Sequence, residues 1–161
     1  MGALAIVLTG LLVAAGAVRG PQTERNKEVA RQLFEEIFGP RWRIELVDQI
    51  HTPDFVSHGA TRDADLDEDR RAVVGWKAAT PDLVIHVERM VAERDMVAVH
   101  WIGTGTNTGE GNGFPATGRK ITAHGMTFFR FRDGRIAEEW NVIDMLTVLR
   151  QAGLLPAAGG K

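Results

Sequence analysis

Four polar residues have the types and settings for proton chemistry: His58, His124, Asn141 and Asp144. Histidine is the side chain whose unperturbed pKa lies near neutrality, so His58 and His124 are candidates to take or give a proton. Each also has a plain structural use. His58, in Phe55-Val56-Ser57-His58-Gly59, can bond the loop backbone, and His124 can be a satisfied histidine in a strand. Asp144 stands where a strand pattern gives way to a helical one. As a cap it accepts hydrogen bonds from the first helical amides and its pKa falls; as a general base in an apolar pocket it needs a raised pKa instead. The helix expected from Met145 needs a cap. Asn141 is suited to donate to a developing oxyanion. Trp140, Phe114, Met126, Phe128 and Trp76, with Trp101 and Phe129, are the stock from which an apolar lining for a planar ligand would come, although ordinary core is the plainer reading of any one of them. The adjacent Glu138 and Glu139 face opposite ways, one inward or to an interface and the other to solvent. No HExxH or HxH spacing occurs, so no metal is expected, and no organic cofactor is called for.

These residues depend on a carboxyl-terminal hairpin for their positions. From Ile121 to Phe131 apolar and polar residues nearly alternate, Asp133-Gly134 supplies turn chemistry, and Ile136 to Ile143 resumes a period of about two. A regular two-residue turn sets Phe131 opposite Ile136, Thr127 opposite Trp140 and Met126 opposite Asn141, which puts His124 on one face with Met126 and Asn141; a bulge changes this register. After Asp144, Met145, Leu146, Val148 and Leu149 form a short amphipathic helix that stops at Gly153.

Earlier in the chain, Thr23-Glu24-Arg25-Asn26 offers caps for a helix whose rows Val29, Leu33, Ile37 and Ala30, Phe34, Phe38 make one apolar face, ended by Gly39-Pro40. A second helical pattern runs through Trp42, Leu46, Val47 and Ile50, and Asp67 is placed to cap a third through Val73, Val74 and Trp76. Strands follow around Leu83 to Glu88 and Val97 to Thr106, with Glu93-Arg94-Asp95 as their turn. His86, His100 and Trp101 are expected on the outer face of that pair, where they would form a homodimer interface. The link Asn107 to Gly118 lacks a phosphate-loop signature and reads as a mobile loop able to lid a cavity through Phe114.

The run DGRIAEEWNVIDMLTVLRQAGLL, with its WNxxD pattern from Trp140 to Asp144, resembles the close of the SnoaL-like polyketide cyclase or ester cyclase family. The resemblance extends back through HTPDFVSHG, PDLVIHVERMVAERDMVAVHWIGTGTNTGE and GFPATGRKI. It implies an α+β fold of the nuclear-transport-factor-two-like type, a cone-shaped, curved mixed sheet wrapped around amino-terminal helices. It implies an enzyme acting on a small, mainly apolar carbonyl or ester compound by cofactor-free acid/base chemistry. In the cyclases the acid/base pair is an aspartate in the last strand and a histidine across the hairpin, and these positions fall on Asn141 and Thr127, neither of which shuttles protons at neutral pH. Two alternatives stay open: a non-catalytic ligand-binding or self-associating module of the same fold, and an epoxide hydrolase or ketosteroid isomerase, for which Asp144 is the inward acid expected.

The 161 residues, 44% hydrophobic, suit one domain with a real core. A net charge of -2 from 19 basic and 21 acidic residues, without a basic run, argues against nucleic acid as a partner. The absence of cysteine excludes disulfides and thiolate catalysis. Ala3 to Val18 is a small, apolar, uncharged run suited to a signal peptide or anchor over residues 1–22, leaving the domain at 23–156 and a flexible tail at 157–161. Export to a periplasmic or extracellular location follows if that leader acts as one, with membrane contact only through it; otherwise the protein is cytoplasmic.

Overall fold

The computed structural model describes residues 20–156. The apolar run Ala3 to Val18 and the tail 157–161 lie outside the described residues. The first helix, α1 (Gly20–Gln32), runs into a π-helical turn, Leu33–Ile37, and carries the expected apolar face: Ala30, Leu33, Phe34, Ile37 and Phe38 are all buried. It starts earlier than its expected caps. Thr23 and Asn26 therefore lie inside it, and buried Asn26 accepts a hydrogen bond from Gln22 at 2.8 Å. The second helical pattern is a short 3₁₀ turn, Ile44–Leu46, and one turn of α2 (Val47–Ile50).

Strand β1 (His51–His58) follows at once and passes through Pro53, at a shift of register in its pairing, where proline's missing donor is tolerated. A two-residue strand β2 (Ala64–Asp65) leads into α3 (Leu66–Ala79). Asp65 caps this helix by accepting from the Glu68 amide at 2.9 Å, so the expected cap at Asp67 is corrected by two positions. Strands β3 (Val84–Glu93), β4 (Met96–Thr106), β5 (Lys120–Arg132) and β6 (Arg135–Ile143) form an antiparallel meander, and α4 (Met145–Gln151) closes the chain. The sheet order is β2-β1-β6-β5-β4-β3, with β1 parallel to β6. The core lies between α1 and the sheet, where Phe34 meets Trp101 and Phe129 at ring separations of 5.9 Å.

The β5–β6 hairpin turns on Asp133 and Gly134, both with positive φ (51° and 77°), as the strand twist favours in a two-residue connection. Phe131 faces Ile136 as expected, but Arg130 then faces Glu138, so Ala137 is an unpaired extra residue. This bulge corrects the expected register: Thr127 faces Asn141 and Phe128 faces Trp140. His124, Met126 and Phe128 consequently lie on the face opposite Thr127 and Asn141. Trp101 is corrected as well, being buried in the core rather than on the outer face. Across the β3–β4 pair His86 faces Ile102 and Arg89 faces His100.

Candidate functional site

The inner faces of β4, β5 and β6, α3 and the start of α4 enclose a cavity of about 280 Å³. Helix α3 presents Asp69, Ala72, Val73, Trp76 and Ala79 to it, a stripe at helical spacing in which one member is a carboxylate. Strand β6 contributes Glu139, Asn141 and Ile143, which alternate because successive strand residues face opposite ways beyond the bulge. Phe114 packs on Trp76 with ring centroids 5.3 Å apart. The loop carrying Phe114 is anchored rather than free. Buried Asn107 donates to the carbonyls of Ala79 and Gly109, its own side-chain carbonyl accepts from Thr117, and Asn112 donates to the carbonyl of Ala72.

The chemistry lies in an acid pair. Glu139 is buried, and the one side-chain hydrogen bond to it among the described residues comes from Ser57, whose hydroxyl donates to Oε1 at 3.2 Å. Burial, reinforced by the negative charge of Asp69, pushes the Glu139 carboxyl up to about 8. Burial also raises Asp69, to about 6. The two groups interact, so protons leave them as a pair in two steps. Both carboxyls therefore keep their protons above the ordinary carboxylate range.

Also on the lining, Thr127 links two neighbours. The Trp101 indole N–H donates to the Thr127 hydroxyl at 2.9 Å, and that hydroxyl donates to Asn141 Oδ1 at 3.1 Å. The indole reaches Thr127 by lying across residue 125, where a Cβ would meet it at 2.1 Å, so only glycine fits there.

The four polar residues singled out from sequence are dispersed. Asn141 lines the cavity, as do Trp76 and Phe114. His58 reaches the lining, but both its ring nitrogens are engaged, Nε2 with Glu138 at 2.9 Å and Nδ1 with Asp63 at 3.2 Å, and its ring stacks on Trp140 at 4.6 Å. The hydrogen bond to Glu138, joined by Asp63, raises its pKa and favours the imidazolium. His124, Met126, Phe128 and Trp140 are not among the lining residues, and Met126 and Phe128 are exposed. Asp144 is exposed and caps α4: its carboxylate accepts from the Thr147 amide at 3.1 Å and hydroxyl at 2.7 Å, and these bonds lower its pKa. It therefore has the low pKa of a cap, not the raised one a buried base requires. Sequence reading passed over Asp69 and left open which of Glu138 and Glu139 faces inward. The available signal was Asp69 standing four residues before Val73 and seven before Trp76, on the apolar stripe itself. Among the described residues no group of three or more histidines and carboxylates is placed to hold a metal ion.

A curved six-stranded sheet closed over helices, with a lined cavity at its centre, defines a cone-shaped α+β protein of the nuclear-transport-factor-two-like type. The chain belongs to the SnoaL-like polyketide cyclase family, whose profile matches residues 28–152. Similar solved structures include AclR of Streptomyces galilaeus, a candidate hydroxylase (28% identity, 85% of this chain and 86% of that one, TM-score 0.77). A candidate SnoaL-like polyketide cyclase from Jannaschia sp. CCS1 is similar over 88% of this chain and all of its own, with 25% identity and a TM-score of 0.77. IdmH, a candidate polyketide cyclase from Streptomyces antibioticus, shares 28% identity over 80% of this chain and 98% of its own, with a TM-score of 0.69. None of the curated proteins matches the chain.

Proposed function

We propose that the protein is a cofactor-independent acid/base enzyme acting on a small, mainly apolar carbonyl or ester compound, and that Asp69 and Glu139 carry its proton transfers. The observation that supports this most is two carboxyls of raised proton affinity sharing an apolar cavity with a carboxamide donor. In a ring closure, ionised Asp69 removes a proton from carbon beside a carbonyl, and Asn141 Nδ2 donates to the enolate oxygen. The enolate carbon then forms a bond to a second carbonyl carbon of the same molecule. Glu139 gives its proton to the resulting alkoxide, so one proton is taken and one returned. This replaces His58 and His124 as proton carriers, because His58 is held between two carboxylates and His124 faces away.

The test is turnover of a panel of methyl-ester polyketide analogues. Asp69→Asn and Glu139→Gln are each expected to lower kcat by about 10² to 10⁴-fold, and the parent profile to be bell-shaped, with limbs near 6 and 8. Ligand binding without parent turnover overturns the enzyme reading and leaves the rival, a binding module with the same pocket.

We also propose self-association through the outer face of β5 and β6, where Met126 and Val142 are paired and exposed beside exposed Phe128. Export through the leader is proposed on its composition alone. Protein from a secreting host should begin near Val18 or Gln22, and soluble cytosolic protein with Met1 intact overturns it.

A further inference from the structure

We propose that Thr127 is a positioning residue that fixes the side-chain amide of Asn141 with its N–H groups toward the ligand, making that end of the cavity a reader of carbonyl oxygens. Indole nitrogen is a donor only, so the Trp101 N–H at 2.9 Å obliges the Thr127 oxygen to act as acceptor on that side. A hydroxyl has one proton, and the acceptor it meets is Asn141 Oδ1 at 3.1 Å. The carbonyl end of the carboxamide is thereby taken, which leaves Nδ2 as the end open to a ligand in the cavity that Asn141 lines. Among the described residues no other side-chain hydrogen bond to Asn141 occurs. The chain of contacts is set by the sheet itself, because Val99, Thr127 and Asn141 are in register across three strands and Thr127 is buried. A fixed donor accepts a partner with lone pairs, such as a ketone, an ester carbonyl or an enolate oxygen. It discriminates against a ligand that presents only a proton there, since two donors then face each other unpaired.

The inference rests on the acid/base reading for its catalytic consequence, and the experiment separates the two. ¹⁵N relaxation of the Asn141 Nδ2 group and the Trp101 Nε1 resonance are measured in full-length parent, Thr127→Val and Thr127→Ser, together with turnover on the methyl-ester panel. Valine keeps the shape and removes the hydroxyl; serine restores it. The expected result is an Asn141 amide that is rigid in parent and serine variant and mobile in the valine variant, with an order parameter below about 0.6. Turnover is expected to fall about 10²-fold in kcat with little change in KM, and to recover in the serine variant. If Thr127→Val does not fold, Thr127→Ala is the second variant: it removes the same hydroxyl without a branched side chain, so the amide is again expected to become mobile. An amide equally rigid without the hydroxyl overturns the inference. Release of the amide in a protein whose parent shows no turnover upholds the positioning and removes the enzyme.

Discussion

Glu138 and Glu139 are neighbours in the chain and opposites in their chemistry. Glu138, with 28% of its side chain exposed, bonds His58 and Arg130, and its pKa is lowered, chiefly by the hydrogen bond to His58. Glu139, 8% exposed, turns into the cavity beside Asp69 and holds its proton to about pH 8. A strand residue's side is all that separates them.

That burial makes stability depend on alkaline pH. A carboxyl whose folded pKa is raised from 4.5 to about 8 leaves its contribution intact below 4.5 and withdraws it as pH rises toward 8. Asp69 does the same between 3.8 and about 6. Urea unfolding should therefore show the parent losing stability between pH 6.5 and 8, by at most about 1.4 kcal/mol per unit, with Glu139→Gln nearly flat there. A parent as stable at pH 8 as at 6.5 refutes it.

On the acid side the sign reverses at His51. Its ring is buried against Phe55, Nδ1–H donates to the Val47 carbonyl at 2.8 Å, Nε2 has no partner among the described residues, and burial pushes its pKa down from 6.5 to about 4. Stability present above 6.5 is lost as pH falls through about 4, by up to about 3 kcal/mol from this residue. His51→Asn keeps a donor for Val47 and cannot titrate. Comparing the pH dependence of the two proteins isolates the term, and identical slopes between pH 6.5 and 4 would remove it.

Gly125 is the seat of the Trp101 indole. Gly125→Ala forces the ring off its place, and is expected to cost about 1–3 kcal/mol and to shift the indole N–H resonance as its bond to Thr127 breaks. An alanine variant of full stability with an unmoved signal contradicts the packing described.

Self-association should be visible in light scattering. The parent is expected to be a dimer at micromolar concentration, and Phe128→Lys combined with Val142→Lys to be a monomer, because two charges then face an apolar surface. A monomeric parent ends this proposal.

The helices, the hairpin turn and the family were legible because each rests on local signals: the apolar rows of α1, Asp133-Gly134, and the run ending in Leu155. The cavity was less so. Its inner wall on β6 depends on Ala137 being unpaired, and no local pattern marks which alanine in a strand is spare. Asp144 read correctly as a possible cap because capping is local, whereas the raised proton affinity of Glu139 arises from its burial, reinforced by Asp69, seventy positions away in sequence and on another element.

The unpaired Ala137 makes the chemistry of the wall a matter of parity. Removing it leaves Glu138 after Ile136 and still sends Glu139, Asn141 and Ile143 inward, so the chain tolerates that deletion without changing what the ligand meets. A single insertion after Glu138 does the reverse: Trp140 and Val142 turn in, and the carboxyl and carboxamide turn out. The parity of the paired residues alone, the spare one left out, thus divides a proton-handling vessel from a greasy one.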